Sequence, residues 1–261
     1  MNGKETNPAF NDGGLKTDFF GRKAIYYPSL ESTMDIARRE AQRGTAEGTV
    51  VVAGEQTGGR GRAERSWLSP KGNIALSIVL FPDISHLPFL IMMASLAVIH
   101  SIESVTGLKT WIKWPNDILI SGKKVCGILI ENELKNNKPV YSIIGIGINV
   151  VVTPEIGKTS ISATSLRDEL GGNVLRTDII KQLLFEMERM YLALPDGDRI
   201  FQEWQDRMVT LGKKVTVNSG NAILEGVAES VDKSGALLLR HADGSSTEVV
   251  AGDVSLRDNY R

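Results

Sequence analysis

The chain has 261 residues, 42% of them hydrophobic and 23% charged, and its 30 Lys and Arg against 31 Asp and Glu leave a formal net charge of −1. This composition supports a sizeable core, and it excludes a low-complexity disordered chain and a wholesale polyanion binder. The single cysteine, Cys126, excludes an internal disulfide framework and a cysteine-based zinc site, while the longest apolar run (87–99) falls short of the ~20 residues that span a bilayer. A cytoplasmic protein of one large domain or two unequal ones is expected, since the polar start MNGKETNPAFNDGG has no secretory core.

The Asn-, Gly- and Thr-rich segment 1–20 is expected to be flexible, with order beginning at a strand over 21–27. In SLESTMDIARREAQRG, Ser32 or Thr33 is a good N-cap, and helical spacing runs to Gly44. The β-branched run 49–56 predicts a buried strand, 57–67 an irregular loop, 73–81 a strand and 87–106 a buried helix. Four strands follow at 110–114, 117–121, 124–133 and 140–150, with Ser121-Gly122-Lys123 as a hairpin signal. Helices are predicted at 163–170, 177–193 and 199–208. From 212 onward, short alternating strands with Gly and Asp turns predict a small β-barrel appended to an α+β domain.

Four segments carry candidate chemistry. Gly58 to Trp67 sets three arginines against one glutamate in ten residues, with glycines that let a backbone approach an anion. A solvated surface loop is the competing reading, and neither a Walker A loop nor a dinucleotide fingerprint is present. In Lys113-Trp114-Pro115-Asn116-Asp117 the proline implies a sheet edge or bulge, and the break exposes a cation, an amide and a carboxylate together. Lys124 opens the strand VCGILIE and reads either as a solvated strand end or as a ligand cation. Gly145-Ile146-Gly147-Ile148-Asn149 alternates glycine with isoleucine, so one face of that strand is bare, either for a ligand or another chain, or for tight packing on a helix. His86, His100 and His241 lack metal-like spacing, and Cys126 sits in an apolar strand, so structural roles are expected for all four.

Taken in order, these segments resemble the biotin–protein ligases. The resemblance rests on ESTM (31–34), EQTGGRGRAERSW (55–67), KWPNDILISGKKVCGILIE (113–131), GIGIN (145–149), ATSL (163–166) and AGDVSLR (251–257). It implies an α+β fold: a mixed-sheet catalytic domain over 21–210 and a small SH3-like barrel over 211–261. It also implies a two-step reaction. Biotin and ATP give biotinyl-5′-AMP and pyrophosphate, and a lysine of a biotin carboxyl carrier domain then takes the biotin. Carried over by position, Ser32, Thr33, Met34, Gln56, Arg60, Gly61, Arg62, Lys124 and Gly127 would meet biotin. Arg62, Arg65, Trp67, Lys113, Asn116 and Asn149 would face the nucleotide, with Lys124, Arg62 and Lys113 at the reacting groups. Asp117 is a candidate for Mg²⁺ held with the ATP phosphates, and no tightly protein-ligated metal is expected.

Two departures stand out: Met34 where the family usually has Asn, and Glu64 where its loop usually has Gly. The resemblance further implies a homodimer through a sheet-edge strand near 140–150. With about 20 residues before the first strand, no DNA-reading domain and no repressor role are expected. A lipoate–protein ligase is the nearest rival, disfavoured because GRGRxxRxW, KWPND and AGDVSLR look biotin-specific. A non-catalytic biotin sensor is a further alternative. A nucleic-acid module is disfavoured by the near-zero charge and by the absence of a second basic stripe.

Overall fold

The β-branched and Ile-rich runs form the middle of one seven-stranded sheet in the computed structural model, which describes residues 14–63, 65–154, 162–220 and 222–256. The strands are β1 (Ala24–Tyr27), β2 (Val50–Ala53), β3 (Ile74–Leu80), β4 (Trp111–Lys113), β5 (Asp117–Ile120), β6 (Lys123–Lys135) and β7 (Lys138–Ile148), in spatial order β1-β2-β3-β7-β6-β5-β4. β1 and β2 are parallel, and every other neighbouring pair is antiparallel. The expected hairpin joins β5 to β6 through Ser121 and Gly122, both at positive φ (51° and 76°), as a mirror-image two-residue turn requires.

The expected edge strand is corrected by this order. β7 lies between β3 and β6, and Ser142–Ile148 are paired on both sides, because Ile144, Ile146 and Ile148 are core residues. Edge positions belong to β1 and β4, and the outer side of β4 is covered where Ile112 exchanges backbone bonds with Arg207 and Val209.

The helices are α1 (Thr33–Gln42), α2 (Leu90–Thr106), α3 (Leu166–Leu170), α4 (Arg176–Leu192) and α5 (Gly197–Asp206). α2 is apolar on nearly all sides because α4, α5 and strands β5 and β6 pack around it. Together with the preceding turn, Ile84–Thr106 is long and apolar enough to cross a membrane by length and composition, yet most of it is buried within the protein. The helix expected over 163–170 starts only at Leu166. Ser165 caps it by accepting from the Asp168 N–H at 3.2 Å, and Lys124 forms a parallel bridge with Ala163.

Order also begins earlier than expected. Residues 1–13 of the expected flexible segment lie outside the described residues, but Phe20 is fully buried. Glu188 of α4 accepts the backbone N–H groups of Asp18, Phe19 and Phe20 at 2.6, 2.8 and 2.9 Å, which satisfies an otherwise orphaned turn.

The C-terminal strands β8 (Lys214–Ser219), β9 (Ala222–Val231), β10 (Leu237–Arg240), β11 (Ser246–Val249) and β12 (Asp253–Leu256) form the small antiparallel sheet, ordered β11-β10-β9-β8-β12. Its buried Val215, Val217, Leu237 and Leu239 belong to one continuous core with the large sheet. Trp114 bolts the two together: its N–H donates to Thr210 Oγ1 and its indole Nε1 to the Gly235 carbonyl, each at 2.9 Å.

His100 ties α2 to α4 and α5. Its Nε2 is 2.6 Å from Glu203 Oε1 and its Nδ1 is 3.6 Å from Glu186 Oε2, with Arg189 Nη2 at 2.9 Å from Nδ1. Glu186 and then Glu203 raise its pKa above the ordinary 6.5, against the opposing effect of burial. A raised folded-state value means the stabilisation is complete below about 6.5 and is lost as pH rises through the higher value. Thermal unfolding of wild type and His100→Gln followed against pH is therefore expected to show a loss of stability, as pH rises from about 6.5, that the variant lacks.

Candidate active site

One face of the large sheet carries the main core. The other is divided between α1 and a cleft. Met34, Ala37 and Ala41 of α1 pack on Val51, Val79, Tyr141 and Ile143. Past the N-terminal end of α1 the sheet runs out of side chains. Gly147 of β7 stands between Ala75 of β3 and Gly127 of β6, and Gly145 stands between Ser77 and Leu129.

Two side chains from elsewhere lie on this floor. A Cβ on Gly147 would fall 2.2 Å from Trp67 Nε1, one on Gly127 2.9 Å from Trp67 Cζ3, and one on Gly145 2.5 Å from Met34 Sδ. The bare face therefore takes close packing from Trp67 and from Met34 of α1, and it also lines the cleft.

All fifteen expected site residues line this one cleft of about 200 Å³. At one end they are polar and neutral. The N–H and Oγ1 of Thr33 donate to Gln56 Oε1 at 2.8 and 3.0 Å, and Thr33 Oγ1 lies 2.7 Å from Ser77 Oγ. Ser32 is the N-cap residue of α1, but its side chain makes no capping bond; its buried Oγ has no hydrogen-bond partner at all. A buried hydroxyl without a partner costs on the order of 1–3 kcal/mol, which a ligand group at this end would recover.

At the other end the cations gather. Lys124 Nζ is 2.5 Å from Asp117 Oδ1 and 5.3 Å from the centre of the Trp67 ring. Lys113, buried, is 3.9 Å from the other oxygen of Asp117. Burial pulls the Lys113 ammonium pKa down; Asp117 opposes that and Lys124 adds to it. Burial likewise lowers the Arg62 guanidinium, against Asp253 and Asp117, while Arg62 Nη1 reaches Asn116 Oδ1 at 3.4 Å. Such half-desolvated cations are primed for anionic partners.

Local sheet irregularities place these groups. The proline in KWPND breaks edge strand β4, so Lys113, Asn116 and Asp117 flank a turn that Trp114 anchors. Lys124 owes its direction to a bulge. Gly127 and Leu129 face the cleft, so strict alternation would send Val125 there. Instead the register skips from Ile118↔Cys126 to Leu119↔Lys124, leaving Val125 in the core and Lys124 in the cleft.

Above the floor, residues 59–63 and 65–67 fold back as a short flap: the Trp67 N–H donates to the Gly59 carbonyl at 2.8 Å, the Gly61 N–H to the Arg65 carbonyl at 2.6 Å, and Arg60 bridges Ser66. Glu64 lies outside the described residues. Asn149 binds within the wall: its Nδ2 donates to the Thr164 carbonyl at 3.0 Å.

Sequence reasoning assigned no role to several neighbours. Asp253 and Val254 of β12 reach the cleft from the small sheet, and Asp253 pairs with Arg65. Asn73 accepts the N–H groups of Val150, Val151 and Val152 at 3.1, 3.1 and 2.9 Å and so shapes the wall beyond β7. The Asp in AGDVSLR was the available signal for the first; a polar residue at a strand start carries none for the second. Among the described residues no three His, Cys, Asp or Glu side chains converge as metal ligands.

Comparison with known proteins bears directly on this arrangement. The profile of the Biotin/lipoate A/B protein ligase family matches residues 26–149, and that of the Biotin protein ligase C terminal domain matches residues 210–257. The biotin–[acetyl-CoA-carboxylase] ligase of Paracoccus denitrificans is 34% identical over 74% of this chain and 85% of its own length. The bifunctional ligase/repressor BirA of Bacillus subtilis is 37% identical over 93% of this chain and 77% of its own length. The chain belongs to the biotin–protein ligase family. Among solved structures, the family member from Aquifex aeolicus in complex with biotin and ATP superposes with a TM-score of 0.75 at 28% identity, covering 90% of this chain and 99% of that one. The mixed-sheet and SH3-like architecture expected for the family is thus present.

The glycine floor gives the ligase site a direct test. Gly147→Val pushes a side chain into the Trp67 indole. In the variant, a red-shifted tryptophan emission that is absent when Trp67 is also replaced by Phe is expected, together with a loss of activity of about a hundredfold or more.

Proposed function

We propose that this protein is an ATP-dependent biotin–protein ligase acting on a lysine of a biotin carboxyl carrier domain. The observation that supports this most strongly is the polarity of the cleft. A buried hydroxyl without a partner, Ser32 Oγ, stands beside Thr33 and Gln56 at one end, and Lys113, Lys124 and Arg62 stand at the other, across a floor of bare backbone. Biotin has matching parts: a polar ureido head, an apolar body and a terminal carboxylate.

In this reading Ser32, Thr33 and Gln56 hold the ureido group, while Met34 and Trp67 border the rings. Lys124 lies beside the biotin carboxylate, and Arg62, Arg65 and Lys113 face the phosphates of ATP, with Asn116 and Asn149 on the nucleotide side. The carboxylate oxygen attacks the α-phosphorus and pyrophosphate leaves, giving biotinyl-5′-AMP. The amine of the carrier lysine then attacks the acyl carbon, AMP leaves with the bonding pair, and the amine proton passes to solvent. Two anions are brought together in the first step, so the cations lower its barrier by offsetting the repulsion and the charge that builds on the transferring phosphoryl group. Asp117 is a single carboxylate already shared by two lysines and does not fit a resident metal site. Mg²⁺ enters this reading as the counter-ion of ATP.

A lipoate ligase reading fits the cleft less well, because a dithiolane head offers the Ser32 hydroxyl only weak sulfur acceptors. Pyrophosphate release that requires both biotin and ATP, followed by streptavidin-detectable labelling of a carrier domain, is the expected result; release with lipoate instead of biotin would overturn the reading. Lys124→Met is expected to lower the rate about a hundredfold, and Ser32→Ala to raise the KM for biotin about tenfold with little change in kcat.

A further inference from the structure

Arg60 is the flap arginine that pairs away from the cluster of lysines. Its Nη2 lies 2.9 Å from Asp35 Oδ1 and 3.3 Å from Glu131 Oε1. Asp35 stands in the first turn of α1, directly after Met34, and Glu131 is on β6. Arg38, one turn along α1, takes the same two carboxylates, through Nη1 to Asp35 at 2.9 Å and through Nη2 to Glu131. The result is a ring of two guanidiniums and two carboxylates in alternation.

The four side chains are each about one-third exposed, between 31% and 38%. An isolated pair so exposed would count for little, but here one arginine meets two acids, each on a rigid element. What they hold is a glycine-flanked segment. Arg60 lies between Gly59 and Gly61, and the far end of the same flap is held by the Arg65–Asp253 pair. The flap is therefore strung between two carboxylate anchors on opposite sides of the cleft. The Asp35 anchor registers it against the wall that carries Ser32, Thr33 and Met34.

We infer that Asp35 and Glu131 are positioning residues for the ligation: by holding Arg60 they fix the Gly61 backbone above the biotin head and keep the adenylate covered until the carrier lysine arrives. The inference rests on the ligase reading. Arg38 has the opposite influence, since it shares Asp35 Oδ1 with Arg60 while taking the other oxygen of Glu131, so its loss leaves Asp35 to Arg60 alone. A merely structural ion-pair ring would make all its members equivalent. A positioning ring makes loss of the acids and loss of Arg38 act in opposite directions.

Asp35→Asn, Glu131→Gln, their combination and Arg38→Gln provide the test, in the full-length enzyme, with thermal unfolding as the check on folding. Three quantities are measured: the KM for biotin, kcat, and the fraction of biotinyl-AMP that escapes to solution before transfer. The double variant is expected to raise the KM about tenfold and the escape severalfold, with kcat within about twofold. Added NaCl is expected to raise the wild-type KM by a larger factor than that of the double variant, because a ring at this exposure is screened in addition to the cations that meet the carboxylate. Arg38→Gln is expected to lower the KM or leave it unchanged. Wild type that releases pyrophosphate only with biotin, alongside a double variant of unchanged KM, would overturn the inference and leave the ligase reading standing. So would a KM in Arg38→Gln that rises as in Asp35→Asn. Wild type without biotin-dependent pyrophosphate release would overturn the ligase reading, and the inference with it.

Discussion

Gly127, Gly145 and Gly147 leave a strip of the central sheet without side chains, and the groups that form the cleft are arranged around that bareness. Trp67 and Met34 touch backbone there because nothing projects from it. The same register that aligns Gly147 with Gly127 and Ala75 sends Ile144, Ile146 and Ile148 into the opposite core. A strand normally weakened by glycine is tolerated because it is paired on both sides and packed by isoleucine from behind. The cleft is thus an interruption in the packing of one sheet face, bounded by α1 at one end and by the broken edge hairpin at the other.

Electrostatics follow from that geometry. A chain with a net charge of −1 concentrates Arg62, Lys113 and Lys124 at one end of the cleft, with Asp117 and Asp253 close enough to limit their mutual repulsion. The acids do different work on the two sides of the flap. Asp117 sits among the lysines that would meet carboxylate and phosphate, whereas Asp35 and Glu131 take Arg60 beside the wall that carries Ser32, Thr33 and Met34. A pair of small anionic ligands suits such a short-range field, and a polymer would require a broader one.

Much of this was legible in the sequence because it is local. Alternating glycine and isoleucine announced a strand with one bare face, Ser121-Gly122 announced a hairpin, and the proline of KWPND announced an edge. What was not legible depends on register or on distance along the chain. Nothing in GIGIN says which side chains will lie on the glycines, and Trp67 and Met34 are contributed by segments about 80 and 110 residues away. The placement of 140–150 at a sheet edge failed because strand order is set by how β3 returns alongside β7, which hydrophobic pattern does not encode. The bulge that turns Lys124 into the cleft is one residue of register, invisible to periodicity. Asp253 belongs to a different sheet and reaches the site only through the packing that Trp114 fixes.

The central claim is that the neutral and cationic ends of one cleft hold the two ends of one ligand. Calorimetric binding of biotin and of its uncharged methyl ester to wild type and to Lys124→Met tests this most directly. The account predicts that wild type prefers the acid over the ester by about tenfold or more and that Lys124→Met loses this preference, while Ser32→Ala weakens both ligands equally. An acid-over-ester preference that survives in Lys124→Met, or a Ser32→Ala effect confined to one of the two ligands, would contradict it.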